Sequence, residues 1–310
     1  APAVHPELAP GRAPRALKVP RWTEAPGAQP TCQRLRALKH NAVKVNPREV
    51  RHSMPALDQF RSLLLAFLEE PGVLKALFTS KAFSAPCCRL CATLKCHLPH
   101  VETILDVGAN VGQFALAAAR HYPEATIYSF EPLPDVFEEL KANTADNQRI
   151  KPLNWAIGNC AGKISINQNL YSRLSSCLKI NETNDNPRYC ENKTIPVTVN
   201  VCRLNDLNNT IHITPPALLK IDVQGMEAEV LIGGAHLMPQ LDYILCETAM
   251  VELYKGQPLF TDIHELLRRL GYDLVAPLYL NKARSGKIIE VDVLYQRSTH
   301  SENALSDVQT

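Results

Sequence analysis

The chain has 310 residues, of which 45% are hydrophobic and 21% charged, enough for one large globular domain and an extension. Its net charge of +2 is unevenly spread, because residues 1–51 carry ten Lys and Arg against three acids and the remainder is mildly acidic. Nucleic acid would need a basic footprint on the folded part, and a membrane span about eighteen consecutive apolar residues; the sequence has neither.

Residues 1–51 hold eight of the 23 prolines and show neither helical nor strand periodicity. They read as a disordered, basic, Pro/Ala-rich extension: a transit-peptide remnant, a lumenal stalk or a plain solvated tail. From 52 to 100 the pattern is helical. Leu57, Phe60, Leu64, Phe67 and Leu68 form one apolar stripe, Pro71-Gly72 breaks it, and further helices are expected at 73–78 and 87–94. These are cap helices before the main domain at 101–298, with a disordered tail at 299–310.

Within 101–298, strands alternate with helices. Strands are predicted at 104–107, 126–130, 150–157, 218–223, 243–246 and 291–295. Helices are predicted at 111–121, 134–143, 226–232 and 261–270. That rhythm predicts an α/β, doubly wound, mostly parallel sheet covered on both faces. Residues 163–207 depart from it. Two alternating stretches, 163–166 and 195–201, flank a polar loop there and predict a hairpin-like insertion.

The strongest motif is Asp106-Val107-Gly108-Ala109-Asn110-Val111-Gly112, where a buried strand turns into a helix. Gly108 permits a tight turn, and Gly112 is expected to let the helix pack close to the strand. A dinucleotide loop reads Gly-x-Gly-x-x-Gly; here Asn110 replaces the second Gly and an acid opens the motif. An acid suits the sulfonium and ammonium of S-adenosylmethionine (SAM) better than a pyrophosphate. Glu131, followed by Pro132, ends the second strand where a carboxylate can accept hydrogen bonds from ribose hydroxyls.

With Asn154-Trp155-Ala156-Ile157-Gly158, the run Leu219-Lys220-Ile221-Asp222-Val223-Gln224-Gly225-Met226-Glu227, Glu247 and Leu270-Gly271-Tyr272, the chain resembles the FkbM-type methyltransferases. They are a branch of the class I SAM-dependent enzymes, and the likeness covers about two-thirds of the chain in order. The resemblance implies a Rossmann-like, seven-stranded sheet with an antiparallel last strand, and methyl transfer to a hydroxyl on a sugar, lipid or small molecule. It puts Asp106, Gly108, Asn110, Gly112, Glu131, Pro132, Asn154 and Ala156 at the cofactor. The family usually has Glu where this chain has Gln224, which puts any role for a charge there in doubt. A non-catalytic binding protein on the same fold is the alternative that Gln224 favours.

Methyl transfer to an alcohol needs alignment and a proton acceptor. Lys220 and Asp222 share one face of a strand. Asp222 reads as general base or acceptor anchor with Lys220 holding it ionised, the alternative being a structural ion pair. Glu227 reads either as a helix-opening charge or as a substrate contact. Asp222 and Glu247 could share a divalent cation of the Mg²⁺ type. Strand four is not followed by the Asn/Asp-Pro-Pro-aromatic turn of base methylation, so the expected partner is a small-molecule or glycan acceptor.

Cys88 and Cys91, with Cys96 or His97, have the spacing of a metal knuckle, but no second knuckle follows. Cysteines serving as small apolar residues of a buried helix are the favoured reading. Cys160, Cys177, Cys190 and Cys202 fall in or beside the insertion with sequons at Asn181, Asn192 and Asn208. Their clustering leans toward a secretory lumen and a disulfide among the four cysteines, against the cytoplasm or an organelle.

Overall fold

Strand β1 (Thr103–Val107) is buried along its whole length, because it sits mid-sheet with helices on both faces. In this computed structural model the described residues are 82–181, 193–283 and 285–298. The extension at 1–51, the helices expected at 54–68 and 73–78, Cys190, Asn192 and the tail at 299–310 lie outside them.

The chain runs through α1 (Ala85–His97), β1, α2 (Gln113–His121), β2 (Thr126–Phe130), α3 (Pro134–Thr144), β3 (Ile150–Leu153) and β4 (Ala156–Ile157). Then come β5 (Gly162–Asn169), β6 (Thr194–Cys202), β7 (Ala217–Ile221), α4 (Glu227–Gly233), β8 (Tyr243–Ala249), α5 (Phe260–Arg269), β9 (Tyr272–Lys282) and β10 (Ile288–Arg297). Seven strands form one sheet in the order β3-β2-β1-β7-β8-β10-β9. β3, β2, β1, β7 and β8 are parallel, and β10 runs antiparallel to both neighbours. This is the Rossmann-like sheet with an antiparallel last strand that the resemblance implies.

The period of two along each strand splits the core. Leu105, Val107, Leu219, Ile221 and Ile244 face the cluster built with α4 and α5. Ile104, Leu218, Leu245 and Leu294 face the cluster built with α1 and α2. Fully buried leucines such as Leu105 and Leu219 contribute about 1.5–3 kcal/mol each. By the same parity Asp106, Lys220, Asp222, Glu247 and Asp292 belong to the α1/α2 face, a polar band beyond its apolar rows.

Several expectations are corrected. The strand expected at 150–157 is two strands in different sheets: β3 ends the large sheet, while β4 joins β6 and β5 in a separate three-stranded sheet. The insertion's hairpin is present, and β4 extends it. The last strand is longer than 291–295, and β9 beside it was not predicted. Helix α2 starts at Gln113 rather than 111, because Gly112 sits at its N-cap with φ +94°. The cap helix is longer than 87–94; Ser84 Oγ accepts the Cys87 N–H, and Pro86 is tolerated in the first turn.

Candidate functional site

The C-terminal ends of β1, β2 and β7 meet at one edge. Gly108 and Ala109 donate backbone N–H bonds to the Phe130 carbonyl at 3.1 and 2.9 Å, and Asp222 donates to the Val107 carbonyl at 3.1 Å. Gly108 has φ +81°, and a Cβ there would lie 1.9 Å from the Asp222 carbonyl oxygen. Only glycine lets these two strand tips approach so closely.

Past Gly108 the chain turns again at Asn110, a non-glycine residue at φ +50°. Its backbone N–H donates to Glu131 Oε2 at 3.0 Å, while Leu133 N–H donates to Oε1 at 2.9 Å. Glu131 is buried, and burial outweighs those two donors, pushing its pKa up to about 7. Each oxygen keeps a second lone pair, as a ribose hydroxyl would require. Gly112 does not face the strand as expected. A Cβ there would meet Leu140 Cδ1 at 3.0 Å and Thr144 Cγ2 at 3.2 Å, so its smallness fits α2 against α3.

Asn154 Nδ2 donates to the carbonyls of Glu131 and Pro132 at 2.8 and 3.1 Å, tying β3's exit to the strand-two tip. Ala156 lies in β4 opposite Val201, packed with Leu133 and Val136. Both therefore shape the edge from behind.

Asp106, expected at the cofactor, is fully buried at the tip of β1. Its Oδ1 lies 3.2 Å from Lys220 Nζ, which is 3.7 Å from Asp222 Oδ2 and donates to the Gly108 carbonyl at 3.1 Å. Asp106, not Asp222, is thus the nearer partner of Lys220. Burial raises the Asp106 pKa despite that ammonium. For Lys220, burial works against the charge but the two aspartates prevail and raise the pKa. The Phe114 ring centroid lies 5.5 Å from the same ammonium.

Asp222 differs from Asp106 in keeping 36% of its side chain exposed. Burial acts to raise its pKa, but Lys220 and hydrogen bonds with Glu247 and Gln224 outweigh it and hold the pKa below the ordinary value. Glu247 moves the other way, raised well above the usual range by burial and by Asp222's charge. Gln224 Nε2 donates to Asp222 Oδ1 at 2.8 Å and to Glu247 Oε2 at 2.9 Å. The position between the carboxylates that a shared cation would take is filled by this amide. Among the described residues, no group of three or more His, Cys, Asp or Glu could hold a metal ion.

Glu227 opens α4 and is buried. Its Oε1 accepts N–H bonds from Val223 at 3.3 Å and Gly225 at 3.0 Å, closing the turn after β7, and burial pushes its pKa up to about 7. Its observed partners are backbone.

Sequence reasoning missed Ser172, Ser176 and Tyr254. Ser172 Oγ sits 2.9 Å from Asn110 Nδ2, Ser176 Oγ donates to the Gln224 carbonyl at 2.6 Å, and Tyr254 Oη donates to Gln224 Oε1 at 2.9 Å. Each is separated from its partner by 30 residues or more, so no local motif announces it. Cys87, at the start of α1, is also near: burial raises its pKa while the charges of Lys220 and Arg173 lower it. Cys88 and Cys91 are buried in α1, the apolar reading; Cys160, Cys177 and Cys202 form no disulfide in the structure.

These residues fit SAM: a glycine-tightened turn, a carboxylate at the tip of β2, and a part-open carboxylate at the tip of β7. The methyltransferase FkbM domain family matches residues 106–274. Methyltransferase sdnD of Sordaria araneosa is 25% identical over 240 residues, 70% of this chain and 87% of its own. The 2-O-methyltransferase NoeI of Sinorhizobium fredii (strain NBRC 101917 / NGR234) is 27% identical over 179 residues, 56% of this chain and 73% of its own. The 31-O-demethyl-FK506 methyltransferase FkbM of Streptomyces tacrolimicus is 26% identical over 211 residues, 59% of this chain and 80% of its own.

Proposed function

The chain belongs to the FkbM-domain methyltransferases, SAM-dependent enzymes, and from that membership we propose that it methylates a hydroxyl on a sugar or small-molecule acceptor, with Asp222 as the proton acceptor. Two similar proteins carry O-methyl transfer in their names, NoeI at a 2-O position and FkbM at a 31-O position. The observation that carries the reading is Asp222 itself: part-open, 3.7 Å from Lys220 at the tip of β7, and with its pKa held below the ordinary value by that ammonium.

SAM, when bound, supplies an activated methyl group and a good leaving group. The chain's residues do the rest. The Gly108–Gly112 turn and Glu131 would hold the nucleoside end. Asp222 would accept the hydroxyl proton as the acceptor oxygen attacks, and Lys220 keeps that carboxylate charged beforehand. Asp106 serves as a positioning residue behind Lys220. We propose a secretory lumen as its compartment from the clustering of sequons at Asn181, Asn192 and Asn208 with the cysteines of the insertion; peptide mapping of natively sourced protein for glycans there tests it.

The deciding experiment is Asp222→Asn. SAM affinity by calorimetry is expected to change little, because Asp222 meets the first turn through its backbone, which the substitution keeps, while its side chain faces Lys220 and Gln224. Turnover on an acceptor found by mass-spectrometric screening of glycans and small alcohols should fall by about 10²-fold or more. Wild-type turnover in this variant would overturn Asp222 as base, and methylation of nitrogen or carbon acceptors alone would overturn the hydroxyl reading.

A further inference from the structure

The turn after β7 carries a side chain that the transfer of a methyl group does not by itself require. Gln224 is one of two described non-glycine residues with positive φ, at +55°. This conformation costs of order 1–3 kcal/mol and persists where surrounding contacts impose it. Four contacts do so here. Nε2 donates to Asp222 Oδ1 and Glu247 Oε2, Oε1 accepts from Tyr254 Oη, and the backbone carbonyl accepts from Ser176 Oγ. Exchanging the amide oxygen and nitrogen would set an acceptor against two carboxyl groups, so the network fixes the amide's orientation. Gly225 follows at φ +97°, and a Cβ there would crowd Leu178 and Gln257 at 3.0 and 3.1 Å. The turn is thus pressed between the inserted segment and the loop before α5.

We propose that Gln224 is a positioning residue: its carboxamide clamps Asp222 to Glu247 and aims the Asp222 carboxylate at the acceptor. The inference rests on Asp222 as base. A carboxamide does this where a glutamate would not, because its N–H₂ supplies one donor to each of two neighbouring carboxyl groups. A carboxylate in its place would face the Asp222 carboxylate as a second acceptor and a like charge. The charged and titratable groups around Asp222 are Lys220 on its own strand, Asp106 on β1, Glu247 on β8, Asp292 and Glu290 on β10, Glu227 on α4, Cys87 on α1, Arg173 in the insertion and Tyr254. Acids outnumber cations in that set. A neutral double donor therefore favours a charge on Asp222 without adding another to the cluster.

The test uses the full chain with carbon-13-labelled carboxyl groups, the Asp222 signal being assigned by its loss in Asp222→Asn. NMR titration of wild type, Gln224→Met and Gln224→Glu follows the Asp222 midpoint. Loss of the amide donor should move that midpoint up by about one pH unit or more. Turnover should fall at least tenfold, with the acidic limb of its pH profile displaced the same way and KM for SAM unchanged. Tyr254→Phe, which frees the amide to rotate, should show a smaller displacement in the same direction, and it remains informative if both Gln224 variants fail to fold. An unmoved Asp222 midpoint in a folded variant overturns the proposal. A moved midpoint with turnover unchanged leaves the clamp in place but overturns Asp222 as base.

Discussion

The two left-handed turns at the sheet's edge, Asn110 after β1 and Gln224 after β7, solve similar backbone problems by opposite means. At the first turn the backbone does the binding: the Asn110 N–H closes on Glu131, and glycines at 108 and 112 supply space. At the second the side chain does it: one amide reaches two carboxyl groups and a tyrosine. The inserted segment touches both, through Ser172 and Ser176. A backbone-built turn constrains which residues may be absent; a side-chain-built turn constrains which distant partners must be present. The first suits a cofactor common to many relatives, and the second a proton transfer whose surroundings belong to this chain.

Lys220 joins the turns, bonding the Gly108 carbonyl while paired with Asp106 and Asp222. Lys220→Met should therefore break both at once. It leaves a fully buried Asp106 without its counter-ion, a loss of about 3–5 kcal/mol. Chemical denaturation measures this, and hydrogen exchange should quicken at Asn110 and Gly225 together. Faster exchange at only one would show that the turns are independent.

Gly112→Val should separate them. A β-branched residue at φ +94° with Leu140 and Thr144 at contact distance costs roughly 1–3 kcal/mol. SAM affinity should drop in calorimetry while the Asp222 titration stays where it is. A displaced titration would show that the first turn also sets the second.

The smallest effect is expected two residues past the second turn's clasp. Glu229 is buried in α4, its Oε2 has no hydrogen bond among the described residues, and burial pushes its pKa from 4.5 up to about 7. A carboxyl group whose folded pKa is raised adds stability in full below 4.5, and that contribution is lost as pH climbs through about 7. Glu229→Gln should gain roughly 1–2 kcal/mol at pH 8, allowing for partial solvent reach, and nothing at pH 4. Thermal melts at the two pH values check this. Equal gains at both would show that packing rather than charge is responsible.

The contrast between the turns also explains what could be read in the sequence. Asp106 through Gly112 and Glu131 announced the first turn, since glycine spacing after an apolar strand is a local signal. Lys220 and Asp222, two apart, announced a shared face. What those residues contact was harder to read: Gly112 meets α3 rather than the strand, and Lys220 lies nearer to Asp106 than to Asp222. Gln224 stood out only as a departure, because its meaning lies in Glu247, Tyr254 and Ser176. Strand β9 escaped because it is an edge strand with exposed Leu274, Val275 and Leu280 and a proline at 277. Such a strand shows little alternation, and its proline argues against a strand unless it lies at an edge.

Strand β1 pairs with β7 in the register Thr103↔Ala217, so the insertion and its small sheet are synthesised between two strands that must lie side by side. At translation speeds of about 5–20 residues per second, the apolar inner edge of β1 waits for its partner for roughly 6–20 seconds. During that time β1, β2 and β3 can pair and the first turn can close on Phe130 and Glu131, but the centre of the sheet stays open, and the second turn and the Lys220 bond to Gly108 wait for β7. A nascent chain is therefore most in need of shielding from other strand edges while the insertion is emerging.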